Sequence, residues 1–495
     1  MRFLSILLAV VAATTLIPLP VGQSVAAPPL RRLPPTTASS PNASASLGIA
    51  RGYRESGYRE SGGTESGGAM FGEMAASSAL SPTTPWFLSP DDTAEVAGDA
   101  GESFRLEDLA WRRGGLRIVP YGAIWADAVY ATQRTNPGAF TLWVLSSERQ
   151  GEDAFSLDAR RSRFGLDVET GKLPKLGGAV SRGRIEIDFY GDFLTENRAN
   201  LRLRHAYWEL ENESFRLLLG QTWDVVSPLL PHTLNLGSGW DAGNLGFRRT
   251  QFRAERNWIF SDVSRVTLVS SLSQEIVTDF PTDPGVQRET SNWPNVEGRL
   301  AWTLGRRDTD REPATIGLSG HIGETGFDFL TAGPPPLNLP PLDDARFETW
   351  SANVDLYLPI TSRFGFQGEV FTGANLSAYF GGIGQGVCPC VRVPIHSRGG
   401  WGELWYDWTP RLHTHAGYGL DDPRDNDFLF GRTYNQFFFA NVLVDVSERL
   451  STGLEVSYWK TLYQERRVGL IPTDQLAPTA AGKAVVFDWM TRFEF

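Results

Sequence analysis

Arginines recur at two-residue steps in three short stretches: Arg161 and Arg163, Arg202 and Arg204, and Arg249 and Arg253 with Gln251 between them. Alternate side chains of an extended chain share a face, so each stretch would present its cations on one side. A guanidinium is planar, permanently charged and carries a fork of donors matched to carboxylate and phosphate oxygens. The chemistry on offer is recognition of anions, with no bond made or broken. The sequence contains 42 arginines against 4 lysines, a bias that suits such contacts but that a GC-rich genome would also produce.

Other reactive residue types are sparse. The six histidines are His205, His232, His321, His396, His413 and His415, and none lies in a recognisable serine, aspartate or cysteine signature, so a hydrolase reading has no motif behind it. His413 and His415 share a face and could bind a metal with a third ligand, but such a pair usually belongs to a polar wall; no cofactor is expected. Trp401 and Trp405 share a face with Glu403 and Asp407, which keeps open a path on which sugars stack. Cys388 and Cys390 are too few for a structural zinc site, leaving either a short-range disulfide in an external loop or two thiols. The net charge of −11 excludes wholesale attraction to nucleic acid.

The elements that would position the arginines follow from hydrophobic period. From Leu116 to Phe495 the chain runs in segments of about ten to sixteen residues with period-two alternation, and we count sixteen of them between 116–131 and 481–495. Ile185, Ile187 and Phe189 alternate with Arg184, Glu186 and Asp188. Burying that second face in a dry core would cost several kcal/mol for each unpaired charge, so it must meet water while the first meets lipid. Connections alternate between tight, as at Glu211-Asn212-Glu213, and long, as at 225–247, the asymmetry of a transmembrane β-barrel. The expected fold is all-β: a transmembrane antiparallel barrel of about sixteen strands over residues 113–495. Parity points the arginines inward, with Phe164, Leu166, Phe252 and Ala254 on the outside, and it puts His205 on the outward register. The 225–247 connection holds one acidic residue, Asp241, so if it enters the lumen it narrows the path without adding an acidic wall. The alternative is that the arginines simply pair with Glu186, Asp188 and Asp192. In the last segment Phe487, Trp489, Thr491, Phe493 and Phe495 would face lipid, and closing that strand on the first leaves no open edge in hydrocarbon.

The first residues read differently. Met1-Arg2, an apolar run to about Leu19 and the small residues Ser24-Val25-Ala26 form a secretory signal peptide over 1–26. Residues 27–112 are rich in Pro, Ser, Gly and Ala and repeat YRESG at 53–57 and 58–62, a composition that buries too little apolar surface to fold. A short amphipathic helix could occupy Ser103–Trp111, ahead of Gly114-Gly115.

Three stretches, DARRSRFGLDVET (158–170), LRLRHAYWEL (201–210) and LLLGQTWD (217–224), resemble signatures of the DcaP-like trimeric outer-membrane porins. The resemblance is good over about 116–270 and otherwise rests on strand rhythm and the terminal aromatic. It implies a trimeric, sixteen-stranded channel for small anionic solutes such as dicarboxylates, set among outer-membrane lipid and lipopolysaccharide, with Arg161, Arg163, Arg202, Arg204, Arg249 and Arg253 at the constriction. Phe495 resembles the sorting signal read by barrel assembly machinery. The periplasmic coiled coil of related porins has no counterpart, since 27–112 lacks apolar heptads.

Overall fold

A computed structural model describes residues 110–191, 199–277, 285–306, 312–333, 337–464 and 480–495; the expected signal peptide, the YRESG repeats and Asp192 lie outside them. Sixteen strands form the wall: β1 Leu116–Ala131, β2 in two pieces, Ala154–Asp158 and Arg163–Thr170, β3 Val180–Gly191, β4 Asn200–Glu211, β5 Phe215–Trp223, β6 Arg248–Ser261, β7 Ser264–Ser273, β8 Asn295–Leu304, β9 Ala314–Phe329, β10 Leu342–Pro359, β11 Phe364–Ala374, β12 His396–Thr409, β13 Leu412–Pro423, β14 Gly431–Asp445, β15 Leu450–Gln464 and β16 Gly482–Glu494. Each pairs antiparallel with its sequence neighbour, and β16 pairs with β1 from Ala123↔Glu494 to Ala131↔Val486, which closes the barrel. At this seam Gly122 and Phe495 exchange both backbone hydrogen bonds, at 2.9 and 3.0 Å. A Cβ on Gly122 would stand 2.5 Å from the Phe495 ring and 2.9 Å from the Arg163 carbonyl, so only glycine lets the terminal aromatic lie across the first strand.

The lipid belt follows parity. Ile185, Leu201, Leu203, Phe252, Leu318, Val354, Phe487, Trp489 and Phe493 are exposed, while Glu186, Asp188, Asn353, Asp355, Asp488 and Met490 between them are buried. A closed wall with apolar residues outside and polar ones inside is the outer-membrane barrel architecture.

Parity fails where the wall takes an extra residue. In β2, Asp127 pairs Asp158 and Ala123 pairs Arg163, so four residues, Ala159–Ser162, oppose three of β1. The expected continuous strand is broken there, and Arg161 sits in the break with Arg160 and Ser162, all buried. In β4 the register shifts between Glu186 and Ile187, leaving Arg204 as the extra residue. That bulge turns two consecutive side chains inward, so His205, expected on the outward register, is buried beside Arg204. One inserted residue flips every side chain beyond it.

Of the expected helix over Ser103–Trp111, residues 103–109 lie outside the described residues; Trp111 itself opens a short strand, Trp111–Arg113, on the start of β1, turned by Gly114 and Gly115 at φ +59° and +83°. Positive φ at both turn residues is what a two-residue hairpin demands.

Candidate functional site: the filled lumen

Three long connections fold into the barrel, following β1 (132–153), β5 (224–247) and β11 (375–395). They share an apolar core: Phe140, Leu142 and Trp143 from the first, Leu236, Trp240 and Phe247 from the second, and Phe380 and Ile383 from the third. Trp240 is fully buried, stacks on Trp223 at 6.1 Å and donates its indole N–H to the Gly246 carbonyl at 2.8 Å. A segment carrying Leu229, Leu230, Leu234, Leu236, Trp240, Leu245 and Phe247 has too much apolar surface to lie in water, which drives it inward.

Wall carboxylates hold the second connection by its backbone. The Val225 N–H donates to Glu297 at 3.0 Å, that of Leu229 to Glu369 at 2.8 Å, that of His232 to Glu403 at 2.7 Å and that of Leu234 to Glu455 at 2.7 Å. These carboxylates come from β8, β11, β12 and β15, and each satisfies donors that no sheet partner could reach.

The arginines occupy the arc from β2 to β6. Arg202 donates from Nε and Nη2 to the two oxygens of Asp188, at 2.9 and 2.5 Å, and Arg204 bridges Glu186 at 2.6 Å and Asp188 at 3.0 Å. Arg161 donates to Asp127 at 3.4 Å and to the Leu234 carbonyl at 3.1 Å. Arg163 lies over the Trp125 ring, 4.7 Å from its centroid. Arg249 bonds Asp224 at 2.6 Å and the Ala378 carbonyl at 3.0 Å, with its guanidinium 3.7 Å from the centre of the Tyr379 ring. It is locked behind the third connection and does not face open lumen. Gln251 gives its amide to the Thr222 and Trp223 carbonyls at 3.1 and 2.8 Å, and its side-chain carbonyl accepts from Arg253 Nε at 2.9 Å. Arg253 remains partly exposed. The arginines therefore cluster, but most carry carboxylate partners. Parity does not reveal three further buried cations or rings on this arc: Arg160 bonded to Asp158, Arg248 over Trp223 at 4.6 Å and His205 against Thr222 at 3.1 Å.

Asp241 stands on the second connection at φ +60° and accepts from the Gly384 N–H at 2.7 Å. Its other oxygen is buried with no hydrogen-bond partner among the described residues. Burial raises its pKa to about 7 against the pull of Arg432 and the Gly384 bond. A carboxyl whose folded pKa lies above its unfolded one contributes stability below the unfolded value, near 4, and loses it as pH rises through about 7. Asp241→Asn should thus stabilise the protein by on the order of 1 kcal/mol at pH 8 and scarcely at pH 4, measured by thermal melting in detergent at both pH values.

The remaining sequence candidates are placed as follows. Trp401 is buried and donates to Glu369 at 3.2 Å, while Trp405 stacks on Tyr357 at 5.3 Å. His413 bonds Asp407 at 2.6 Å and reaches Asp445 at 3.3 Å, so it parts from His415, which turns to His232 and Glu403. Cys388 and Cys390 form a disulfide in the third connection, packed with Ile395 of the same connection and with Phe428 from between β13 and β14.

No protein-family model matches the chain, and no curated protein matches it in sequence. Among solved structures, the outer membrane channel DcaP of Acinetobacter baumannii superposes with a TM-score of 0.56 at 16% identity, covering 78% of this chain and 99% of that one. The anion-selective porin from Comamonas acidovorans gives 0.47 at 11% identity, over 77% of this chain and 100% of its own. At 16% identity the likeness to the DcaP channel is one of fold: the barrel has the porin architecture.

Proposed function

We propose that the chain is a porin, a passive channel that admits small hydrophilic solutes across the outer membrane and favours anions such as dicarboxylates. The observation that carries this reading is the placement of the second inward connection. It draws Glu297, Glu369, Glu403 and Glu455 into hydrogen bonds with its own backbone, which turns these four carboxylates away from a passing solute. The cations of β2, β4 and β6 stand on the other arc. Most of these arginines are paired with carboxylates, but Arg253 stays partly exposed, so a solute passing between the arcs meets a cation there, and a confined path focuses its field. The role of the protein is to shape and bias diffusion. The filled lumen favours a narrow, selective path over a wide one, and homotrimeric assembly belongs to the same reading, open to native mass measurement in detergent.

Reversal potential in a planar bilayer under a KCl gradient tests the reading: chloride should permeate better than potassium, and cation preference would sink it. Arg253, partly exposed, hydrogen-bonded to the neutral acceptors Gln251 and Trp223 and 3.7 Å from Glu255, is the residue whose charge the solute should sense. Arg253→Gln should lower the anion-to-cation permeability ratio roughly two- to fivefold, the weight of up to about 1 kcal/mol for one charge across a few ångströms of water. A sugar path is disfavoured because the Trp401 indole is buried against Glu369; maltodextrins should leave the current unblocked.

A further inference from the structure

Beneath the bend of the second inward connection, three metal-ligating side chains from three elements meet: His232 from the connection, Glu403 from β12 and His415 from β13. Their donor atoms all lie within 4.8 Å of one another. His232 Nδ1 is hydrogen-bonded to Glu403 Oε1, and His415 Nδ1 stands 3.8 Å from the same oxygen. The two imidazoles are stacked, with centroids 4.5 Å apart. His415 is 7% exposed and Glu403 1%, yet His415 Nδ1 has no hydrogen-bond partner among the described residues. A buried nitrogen aimed at a carboxylate and left without a partner is costly unless something occupies the space between them. The cluster is also braced from outside. Asn441 accepts the His415 backbone N–H at 3.2 Å and donates to the His232 backbone carbonyl at 2.7 Å, and Gln367 Nε2 lies 2.7 Å from Glu403 Oε1.

We propose that His232, Glu403 and His415 form a binding site for a divalent cation of the zinc class. Two imidazole nitrogens and one carboxylate oxygen are a donor set that zinc accepts in tetrahedral geometry, with water in the fourth place. Ligand distances of about 2.0–2.2 Å require donors roughly 3.3 Å apart. The present spacings bracket that value, and His232, carried on a connection and not on the wall, can adjust by rotation. The bound cation replaces the proton shared between His232 and Glu403, which is released to solvent, and it satisfies the His415 nitrogen. Because His232 belongs to the connection while Glu403 and His415 belong to the barrel, the cation joins the two. All six histidines of the sequence lie among the described residues, and none of the other four falls in a group of three such ligands there.

Titration calorimetry of ZnCl2 into the full-length protein in detergent, after stripping with EDTA, tests this. The wild type should take up one zinc per chain. His415→Ala and His232→Ala should each weaken that binding at least tenfold, while His413→Ala, whose ring is held by Asp407 and Asp445, should bind as the wild type does. Heat-modifiable migration on gels confirms that each variant is folded, and the two ligand variants lie on different elements, so one folding failure leaves the other informative. A wild type that takes up no zinc overturns the proposal, as does binding that survives both ligand substitutions. Calorimetry reads binding whether or not the pore conducts, which keeps this result separate from the test of the channel.

Discussion

Arg249→Ala should destabilise the folded barrel by about 3–5 kcal/mol, the cost of removing one partner from a buried ion pair, while leaving ion selectivity of the surviving channels unchanged. Arg249 neutralises a pocket of acids: besides Asp224 it lies 3.9 Å from Glu275 and 3.9 Å from Glu297, and all three carboxylates are buried. Its guanidinium also covers the Tyr379 ring, whose hydroxyl donates to Glu297 at 3.1 Å and against which His321 stacks at 3.9 Å. With arginine gone, Asp224 must stay charged without a counter-ion or take up a proton. Burial already pushes the Asp224 carboxyl up against the pull of Arg249, so losing that pull raises it further. A carboxyl raised in the folded state costs stability above its folded pKa and less below it, so the loss should be larger at pH 8 than at pH 5. Urea titration in detergent micelles at the two pH values reads both the size and the sign. Selectivity that shifted with stability intact would instead put Arg249 on the conducting path.

The wall was legible in the sequence because its two solvents impose opposite demands on alternate residues. Ile185 against Glu186, or Phe487 against Asp488, leaves one assignment of faces, and sixteen such segments with alternating connections leave one architecture. The site was legible only in part. Arg163, Arg202, Arg253 and Gln251 point where parity sends them, but Arg161 and His205 lie at insertions of a single residue that composition does not mark. The bulges serve the cluster, since each lets consecutive side chains face inward: Arg160 to Arg163 at one and Arg204 with His205 at the other. The fate of the 225–247 connection was also within reach, for Leu234, Leu236, Trp240 and Phe247 are poor residues for an external loop. Which carboxylates would hold it was not. Glu297, Glu369, Glu403 and Glu455 are scattered over four strands, and nothing local distinguishes them from other polar wall residues.

Those carboxylates set the second large expectation, that Glu455→Ala should loosen the bend of the connection and raise single-channel conductance. Glu455 accepts from the Thr233 hydroxyl at 2.5 Å, the Leu234 N–H at 2.7 Å and Asn441 Nδ2 at 2.9 Å. Alanine removes every one of these acceptors. A buried donor left without a partner costs about 1–3 kcal/mol, and three together exceed what the local fold can sustain without water entering. The break should stay local, because Trp240 remains anchored against Trp223 and Phe380, a contact that does not involve Glu455. Thr233 and Leu234 should therefore leave the wall while Leu229 and His232, held by Glu369 and Glu403, and Leu236, packed with Trp240, stay, widening the path without unfolding the barrel. Two readouts follow: a conductance step roughly severalfold larger in planar bilayers, and new protease cleavage confined to that stretch. Glu455→Gln keeps one acceptor oxygen and should fall between wild type and alanine. An alanine variant with unchanged conductance and a protease-resistant connection would mean that the apolar core around Trp240 holds the connection alone and that the wall carboxylates follow it.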